Sequence, residues 1–256
     1  MESYTKIRIS LLILILIFLI LKLKDLLTPK EERFLKAAEN GNLKKIKSML
    51  NKEVNIKTLI NAVDKENNTA LILASKFGYS EIVKILIENG ADIDARNNEN
   101  STALIEASSF YYEVVKILIE NGADINAKDN EGTTPFMNAS TEDDNYEICK
   151  TLIENGANVN DKDLQGDNAL KYASTFLEWD LAIIKLLIES GIEINTQNKD
   201  GYTALMEATI SGNAEIVKVL IENGADINIK NNDGKTALDY AEENDYKSII
   251  ELLKNK

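Results

Sequence analysis

The chain has 256 residues, of which 44% are hydrophobic, enough to bury a sizeable core. Its formal net charge is −13, and nucleic acid is excluded as a partner because a binding face needs clustered lysines and arginines. Cys149 is the single cysteine, so an intrachain disulfide is excluded. The chain has no histidine, and so lacks the commonest general acid–base group and metal ligand.

Residues 1–28 differ in composition from the rest of the chain. Leu11 to Leu21 is an uninterrupted apolar run with basic residues on both sides. Ile7 to Leu27 would span about 31 Å as a helix, close to the thickness of a bilayer core. A secretory signal peptide would end in small residues, and a buried core helix would have a polar face. We therefore expect a hydrophobic helix that forms an uncleaved, single-pass membrane anchor, with a signal-like segment as the alternative.

The side of the membrane is less clear from the charges. Lysines and arginines are more numerous after the apolar run than before it, and the positive-inside rule then places the following domain in the cytoplasm. The short basic start also suits an exported protein, so that alternative stays open.

Pro29 marks the start of a second domain, residues 29–256. Helices are predicted from Lys30 to about Glu39 and from Leu43 to about Leu50, because Asn40-Gly41 separates two amphipathic stretches. This first pair is highly charged, as the end of a repeat array must be. We expect it to cap the array over residues 30–66.

A short motif then recurs along residues 67–233 and once more after them. Its six copies begin with a helix-capping residue: Thr69, Thr102, Thr134, Asn168, Thr203 and Thr236. They lie 33, 32, 34, 35 and 33 residues apart, and the closing glycines from Gly90 to Gly224 keep the same period. One structural unit is therefore repeated in tandem.

The most regular copy, Gly201–Asn232, shows what each unit contains. Thr203 caps a first helix, Gly212 ends it, and a second helix begins near Ala214. Gly224 ends that helix, and a polar turn follows. Neither helix is long enough to be stable alone, so each unit needs neighbours.

The period, the Thr-Ala-Leu opening, Glu-Ile-Val in the second helix and Asn-Gly-Ala-Asp-Ile-Asn after it resemble ankyrin repeats. The resemblance implies an all-α solenoid of stacked helix–turn–helix units with hairpin loops, which binds proteins along a concave groove. Only Pro135 keeps the family's proline in the opening, and the family's histidine is absent throughout, so its hydrogen bonds between units are expected to be missing. The last unit, residues 234–256, is polar and reads as the second cap.

The turn between the two helices varies most from unit to unit. Tyr111 stands where Gly78 stands one unit earlier, when residues are counted from the opening threonine. Around Asp143 and Trp179 the same turn is lengthened by one and two residues. Insertions at one repeated place are tolerated because that place is a surface turn.

Catalytic and metal-binding motifs are weak. Gly234-Lys235-Thr236 lacks the earlier glycine of a phosphate-binding loop, and Asp161–Gly166 lacks the final glutamate of a calcium loop. Glu142–Asp144 is an acidic cluster that could hold a cation weakly, but a solvated loop explains it better. Cys149 falls on the apolar stripe of a second helix and is expected in the core. We expect no cofactor, no small-molecule substrate and no enzyme activity.

Aromatic residues in the turns are the best candidates for a binding site. Phe77, Phe110 and Phe176 stand at or near one place in their units, with Trp179 close by. They form either a binding strip at the groove, where aromatics make good hot spots, or contacts between units. The hairpin residues expected to complete the strip are Lys65, Glu66, Asn98, Glu99, Asn130, Glu131, Lys199, Asp200, Tyr202, Asn232 and Asp233.

These features favour a membrane-anchored scaffold that binds a protein partner through the groove and the hairpin tips. The alternative is an inhibitory or localising module for a partner enzyme, possibly exported. An enzyme in its own right is disfavoured because the repeats use nearly all of the chain. The hairpin charges are mixed in sign, so a basic partner is not indicated.

Overall fold

A computed structural model describes residues 29–53, 55–176 and 181–255, without the side chain of Phe176. The predicted membrane-anchoring helix at residues 1–28 lies outside this part, and so does Trp179. Within the described ranges, no helix is long and apolar enough to cross a membrane. Whether residues 1–28 form an anchor therefore stays a prediction.

The described residues form seven helix pairs and one additional short helix. In chain order, the helices are α1 (Lys30–Glu39), α2 (Leu43–Leu50), α3 (Ile56–Ile60), α4 (Ala70–Lys76), α5 (Ser80–Glu88), α6 (Ala103–Ala107), α7 (Tyr112–Glu120), α8 (Pro135–Ala139), α9 (Tyr146–Glu154), α10 (Ala169–Phe176), α11 (Ala182–Glu189), α12 (Ala204–Ile210), α13 (Ala214–Glu222), α14 (Ala237–Glu243) and α15 (Lys247–Lys254). First helices pack on the first helices of neighbouring units, and second helices pack on second helices. The stack confirms the predicted all-helical solenoid.

Each unit contributes the same apolar positions to one continuous core. Leu86, Leu118 and Leu152 of successive second helices are fully buried, and so is Cys149. Cys149 stands where Val115 stands one unit earlier, which confirms its prediction as a core residue. A pair buries its apolar face only against its neighbours, so the units depend on one another.

The predicted capping residues begin the first helices. The hydroxyl groups of Thr69, Thr102, Thr134, Thr203 and Thr236 accept the backbone N–H three residues on, as does the Asn168 side chain. In α14 the cap is reciprocal, because Asp239 accepts the Thr236 backbone N–H at 2.7 Å. That backbone hydrogen bond, with a second from the Thr236 hydroxyl, lowers the pKa of Asp239.

Six hairpin turns join the units within the described residues, and each is built around one Asp or Asn. These residues are Asp64, Asn97, Asp129, Asp163, Asn198 and Asn231. In every case one side-chain oxygen accepts the backbone N–H groups two and four residues further on, at 2.8 to 3.1 Å. The Asp163 turn, which resembles the start of a calcium loop, is one of these ordinary hairpins.

Two sets of hydrogen bonds connect successive units. In the hairpin ladder, Asn98, Asn130, Leu164, Lys199 and Asn232 donate their backbone N–H to a carbonyl of the preceding hairpin tip, at 2.8 to 3.0 Å. In the loop ladder, side-chain oxygens of Asn61, Asp94, Asn126, Asn160 and Asn195 accept a backbone N–H one unit on, at 2.7 to 2.9 Å. Both ladders lie in the segments that join one helix pair to the next, and they link neighbouring units there.

Two details of the fold differ from the sequence-based expectation. The short helix α3 was not predicted; it stands between the first helix pair and the first hairpin. The equivalence of Tyr111 with Gly78 is also wrong, because Tyr111 precedes α7 directly, as Tyr79 precedes α5. The second helix starts eleven residues after Thr69 but only ten after Thr102. The glycine has therefore been lost from this turn without a replacement.

The contact between Gly78 and Tyr111 predicts a graded effect of two glycine substitutions. Gly78 and Gly90 both have positive φ, where alanine costs about 1–2 kcal/mol. A Cβ on Gly78 would also lie 2.3 Å from Cδ1 of Tyr111, whereas nothing lies within 4 Å of one on Gly90. We expect Gly78→Ala to lower the free energy of unfolding by urea more than Gly90→Ala does.

Tyr111→Ala serves as the control background for this comparison. Without the ring, Gly78→Ala should lower the free energy of unfolding about as much as Gly90→Ala does, because only the backbone strain remains. Equal losses for the two glycine variants in the unmodified chain would show that the ring contact contributes nothing.

Candidate protein-binding site

The hairpin tips form a row of exposed side chains along one edge of the solenoid. Lys65, Glu66, Asn98, Glu99, Asn130, Glu131, Lys199, Asp200, Asn232 and Asp233 are all exposed there. Backbone hydrogen bonds of the hairpin ladder hold successive tips together, and three of the asparagines add a side-chain bond to the tip before them. The structure thus brings these predicted site residues together on a rigid edge.

Tyr202 is placed differently from the other predicted hairpin residues. It is half-buried, and its hydroxyl lies 2.8 Å from the hydroxyl of Tyr240, with the ring centroids 5.8 Å apart. Asn231 donates to the same Tyr240 oxygen at 2.7 Å. These contacts give Tyr202 a structural role between the last two units.

Phe77 and Phe110 lie at the surface and not in the core. Their side chains are 41% and 64% exposed, the latter among the largest exposures of any apolar residue in the described chain. Both line a cavity of about 460 Å³ where the first helices meet the hairpins, together with Glu99, Glu106 and Asp129. We call this side of the solenoid the groove. The contact between Phe110 and the Tyr111 ring, 6.2 Å between centroids, leaves the Phe110 ring accessible.

A second cavity, of about 450 Å³, opens on the other side of Phe110. Tyr112 lines it with Glu142, Glu147 and the 3₁₀ turn Asp143–Asn145. The second helix starts twelve residues after Thr134, which is the predicted insertion. The acidic cluster noticed in the sequence therefore faces an aromatic residue of the preceding unit.

Three exposed apolar or aromatic side chains lie outside the predicted binding strip. Leu164 is 58% exposed at a hairpin tip, Val63 is 48% exposed at the base of the first hairpin, and Tyr112 is 40% exposed. The repeat period could have identified Leu164 as a hairpin-tip residue, because it stands where Lys65, Asn98 and Asn130 stand in their units. Phe176 ends α10, but its side chain, like Trp179, lies outside the described part.

The hydrogen bonds that the family's histidine makes between units were expected to be missing, and in one unit an ion pair takes their place. Lys171 holds the place of the family's histidine and contacts Asp167 at 2.9 Å and Glu207, in the next unit, at 3.3 Å. Burial lowers the pKa of Lys171, but the Asp167 hydrogen bond and the Glu207 charge outweigh it, and the net shift is upward. The unit that contains Lys171 and the following unit, which contains Glu207, are therefore linked by charge inside the groove.

The described residues offer little for catalysis. No cluster of three or more acidic or cysteine side chains within them could hold a metal ion. Burial raises the pKa of the Cys149 thiol to about 12, so it stays protonated and is not a nucleophile at neutral pH. Burial and the Asp163 carboxylate also raise the pKa of Tyr172, whose hydroxyl donates to Asp163 at 2.7 Å. The predictions of no enzyme activity and no cofactor stay predictions.

The fold and the groove define a tandem-repeat solenoid that displays turns and hairpins along one side. A family model described as ankyrin repeats, in three copies, matches residues 34–129, 127–198 and 170–256. The chain therefore belongs to the ankyrin repeat family, whose repeats form modules for protein–protein interaction.

Individual proteins are similar to this chain over part or most of its length. The crystal structure of the human ASB11 ankyrin repeat domain matches with a TM-score of 0.76 at 25% identity, over 87% of this chain and 96% of that chain. The Notch-regulated ankyrin repeat-containing protein of Xenopus tropicalis is 36% identical over 78 residues, 30% of this chain and 68% of that protein. The Arabidopsis thaliana E3 ubiquitin-protein ligase XBAT32 is 34% identical over 76 residues, 30% of this chain and 15% of that protein.

The Lys171–Glu207 pair predicts a measurable coupling between units. In a double-mutant cycle with Lys171→Met and Glu207→Gln, we expect a coupling of about 1 kcal/mol in the free energy of unfolding. The raised pKa of Lys171 means that this contribution is complete below the ordinary value of 10.5 and is lost as pH rises through the folded value. Urea unfolding at pH 7 and 9 should therefore give the same coupling.

The pair Lys235–Glu243 is the control for this cycle. Its atoms lie 2.8 Å apart, but both side chains are exposed and belong to the last unit. Its coupling should be smaller, because water screens exposed pairs. A Lys171–Glu207 coupling that already declines between pH 7 and 9 would contradict the raised pKa.

Proposed function

We propose that this protein is a membrane-anchored scaffold that binds a protein partner in the groove and along the hairpin tips. The single observation that carries the binding surface is the exposure of Phe77 and Phe110 in one cavity. Exposed aromatic rings beside a concave surface are typical of interaction hot spots, because they bury a large area at little entropy cost. Their position in the turns leaves the core and both ladders intact.

The charge distribution supports anchoring through the N-terminal segment. Residues 29–60 contain eight basic and four acidic side chains, whereas residues 61–256 contain 17 basic and 36 acidic ones. Lys44, Lys47, Lys52 and Lys57 are exposed on the first unit. Anionic lipids attract such a basic segment and repel the acidic repeats. The arrangement fits a chain whose first unit lies nearest to a cytoplasmic membrane surface.

The binding surface is tested by the double variant Phe77→Ala, Phe110→Ala. We expect it to lose the proteins that the unmodified full chain captures from membranes of its source, quantified by mass spectrometry. Because both rings are exposed, the free energy of unfolding by urea should stay within about 0.5 kcal/mol of that of the unmodified chain.

A matched control is Lys84→Ala, Lys116→Ala, which removes two exposed side chains from the second helices. It should capture the same proteins as the unmodified chain. Unfolding of the phenylalanine variant, or equal capture by both variants, would favour a packing role for the two rings over a binding role.

Anchoring and orientation are tested on the full chain in cells. An alkaline carbonate wash should leave the chain in the membrane pellet, and Ile15→Lys with Phe18→Lys should release it, because charges are costly in the bilayer. Protease added to spheroplasts should spare the repeats until the membrane is permeabilised. Digestion of the repeats in sealed spheroplasts would instead support export.

A further inference from the structure

Phe110 stands where two neighbouring irregular turns meet. Compared with the turn before α5, the turn before α7 is one residue shorter and the turn before α9 is one residue longer. Phe110 projects from the short turn and separates the two cavities, while the long turn places carboxylates beside it. We call the cavity lined by Phe110, Tyr112, Glu142, Asp144 and Glu147 the acidic–aromatic pocket.

The geometry of this pocket is held in place by a buried amide. Asn145 is 4% exposed, and its Nδ2 donates to the carbonyl of Ser109 at 2.7 Å and to that of Ala139 at 3.2 Å. Ser109 directly precedes Phe110, so this amide ties the acidic turn to the aromatic turn. A pocket held by buried hydrogen bonds loses little entropy when it binds.

The pocket carries an excess of negative charge. No lysine or arginine lines it, and Glu142, Asp144 and Glu147 form no ion pair with any side chain of the described ranges. In the neighbouring cavity, the one lysine, Lys76, already contacts Glu106 at 3.4 Å. The acidic–aromatic pocket therefore has no cation in its lining, and the lysine that lines the neighbouring cavity is already paired.

We propose that the acidic–aromatic pocket binds a basic, partly apolar peptide segment of the partner, with one arginine or lysine seated against Phe110 and the carboxylates. A cation over an aromatic ring gains from the charge distribution of the ring, and the carboxylates pair with the same cation. A metal ion fits less well, because no described cluster has metal-ligand geometry. An anionic lipid surface would be repelled. This inference rests on the proposed function and specifies the partner's chemistry at one end of its groove.

The probe is an acetylated peptide of alternating arginine and leucine, compared with the same peptide carrying citrulline in place of arginine. Binding to the detergent-solubilised full chain is measured by fluorescence anisotropy at two salt concentrations. We expect the arginine peptide to bind at least about tenfold more tightly than the citrulline peptide. Phe110→Ala should weaken arginine-peptide binding about tenfold, as for a hot-spot residue.

A charge-matched pair of triple variants separates the pocket from general attraction to an acidic chain. Glu142→Gln, Asp144→Asn, Glu147→Gln should weaken binding about tenfold and reduce its salt dependence. The control changes three exposed glutamates at the ends of second helices, Glu88, Glu120 and Glu154, to glutamine. It alters the net charge equally and should leave the affinity within about twofold.

Three outcomes would overturn the proposal. Equal losses in the two triple variants would show non-specific charge attraction, and equal binding of the citrulline peptide would show an apolar site without charge recognition. Retained partner capture by the pocket variant, with loss in Phe77→Ala, Phe110→Ala, would refute the basic partner and leave the proposed scaffold function standing. Circular dichroism of each variant confirms that the fold is kept.

Discussion

The backbone hydrogen bond from each hairpin tip to the tip before it is the constraint on which the rest of the structure depends. It links Asn98 to Glu66, and its equivalents continue to Asn232 and Asp200. Since no helix pair can bury its apolar face alone, a unit is stable only at the spacing that these bonds and the loop ladder allow. The repeated Asp or Asn of each hairpin is therefore a requirement of stacking as much as of the turn itself.

This constraint explains where the chain can vary. Both ladders and the buried leucines need constant geometry, so an added or lost residue in a hairpin or a helix would break contacts with two neighbours. The turn between the two helices touches neither ladder, and it alone changes length near Phe110 and Asp143. Variation in that turn alters the groove without disturbing the stack. The features that distinguish this chain from a regular repeat array are thus concentrated where a partner would make contact.

Much of the fold follows from local sequence, because its signals are short-range and repeated. The repeat period and the residue preferences of a single helical turn are enough to recognise the capping threonines, the helix-ending glycines and the buried position of Cys149. The missing glycine before Tyr111 was misplaced because counting from Thr102 cannot tell a substitution from a deletion. The start of α7 directly after Tyr111 decides between them, and the Tyr111 ring packs against Gly78 of the preceding unit. Helix α3 was missed for a similar reason, since a five-residue helix has too few turns to show a period.

The candidate site was less predictable, because exposure depends on contacts between units. The sequence pattern of Phe77 and Phe110 is consistent with a position in the core or at the surface. In the structure their neighbours are buried, whereas these two rings lie at the surface. The charges of the hairpins are mixed in sign, and this mixture concealed a local excess of carboxylates beside Phe110. Carboxylates from α9 and its lengthened turn meet an aromatic ring from the unit before, which no single repeat contains. The proposed recognition site therefore lies at a junction between units, whereas each unit by itself specifies only the scaffold.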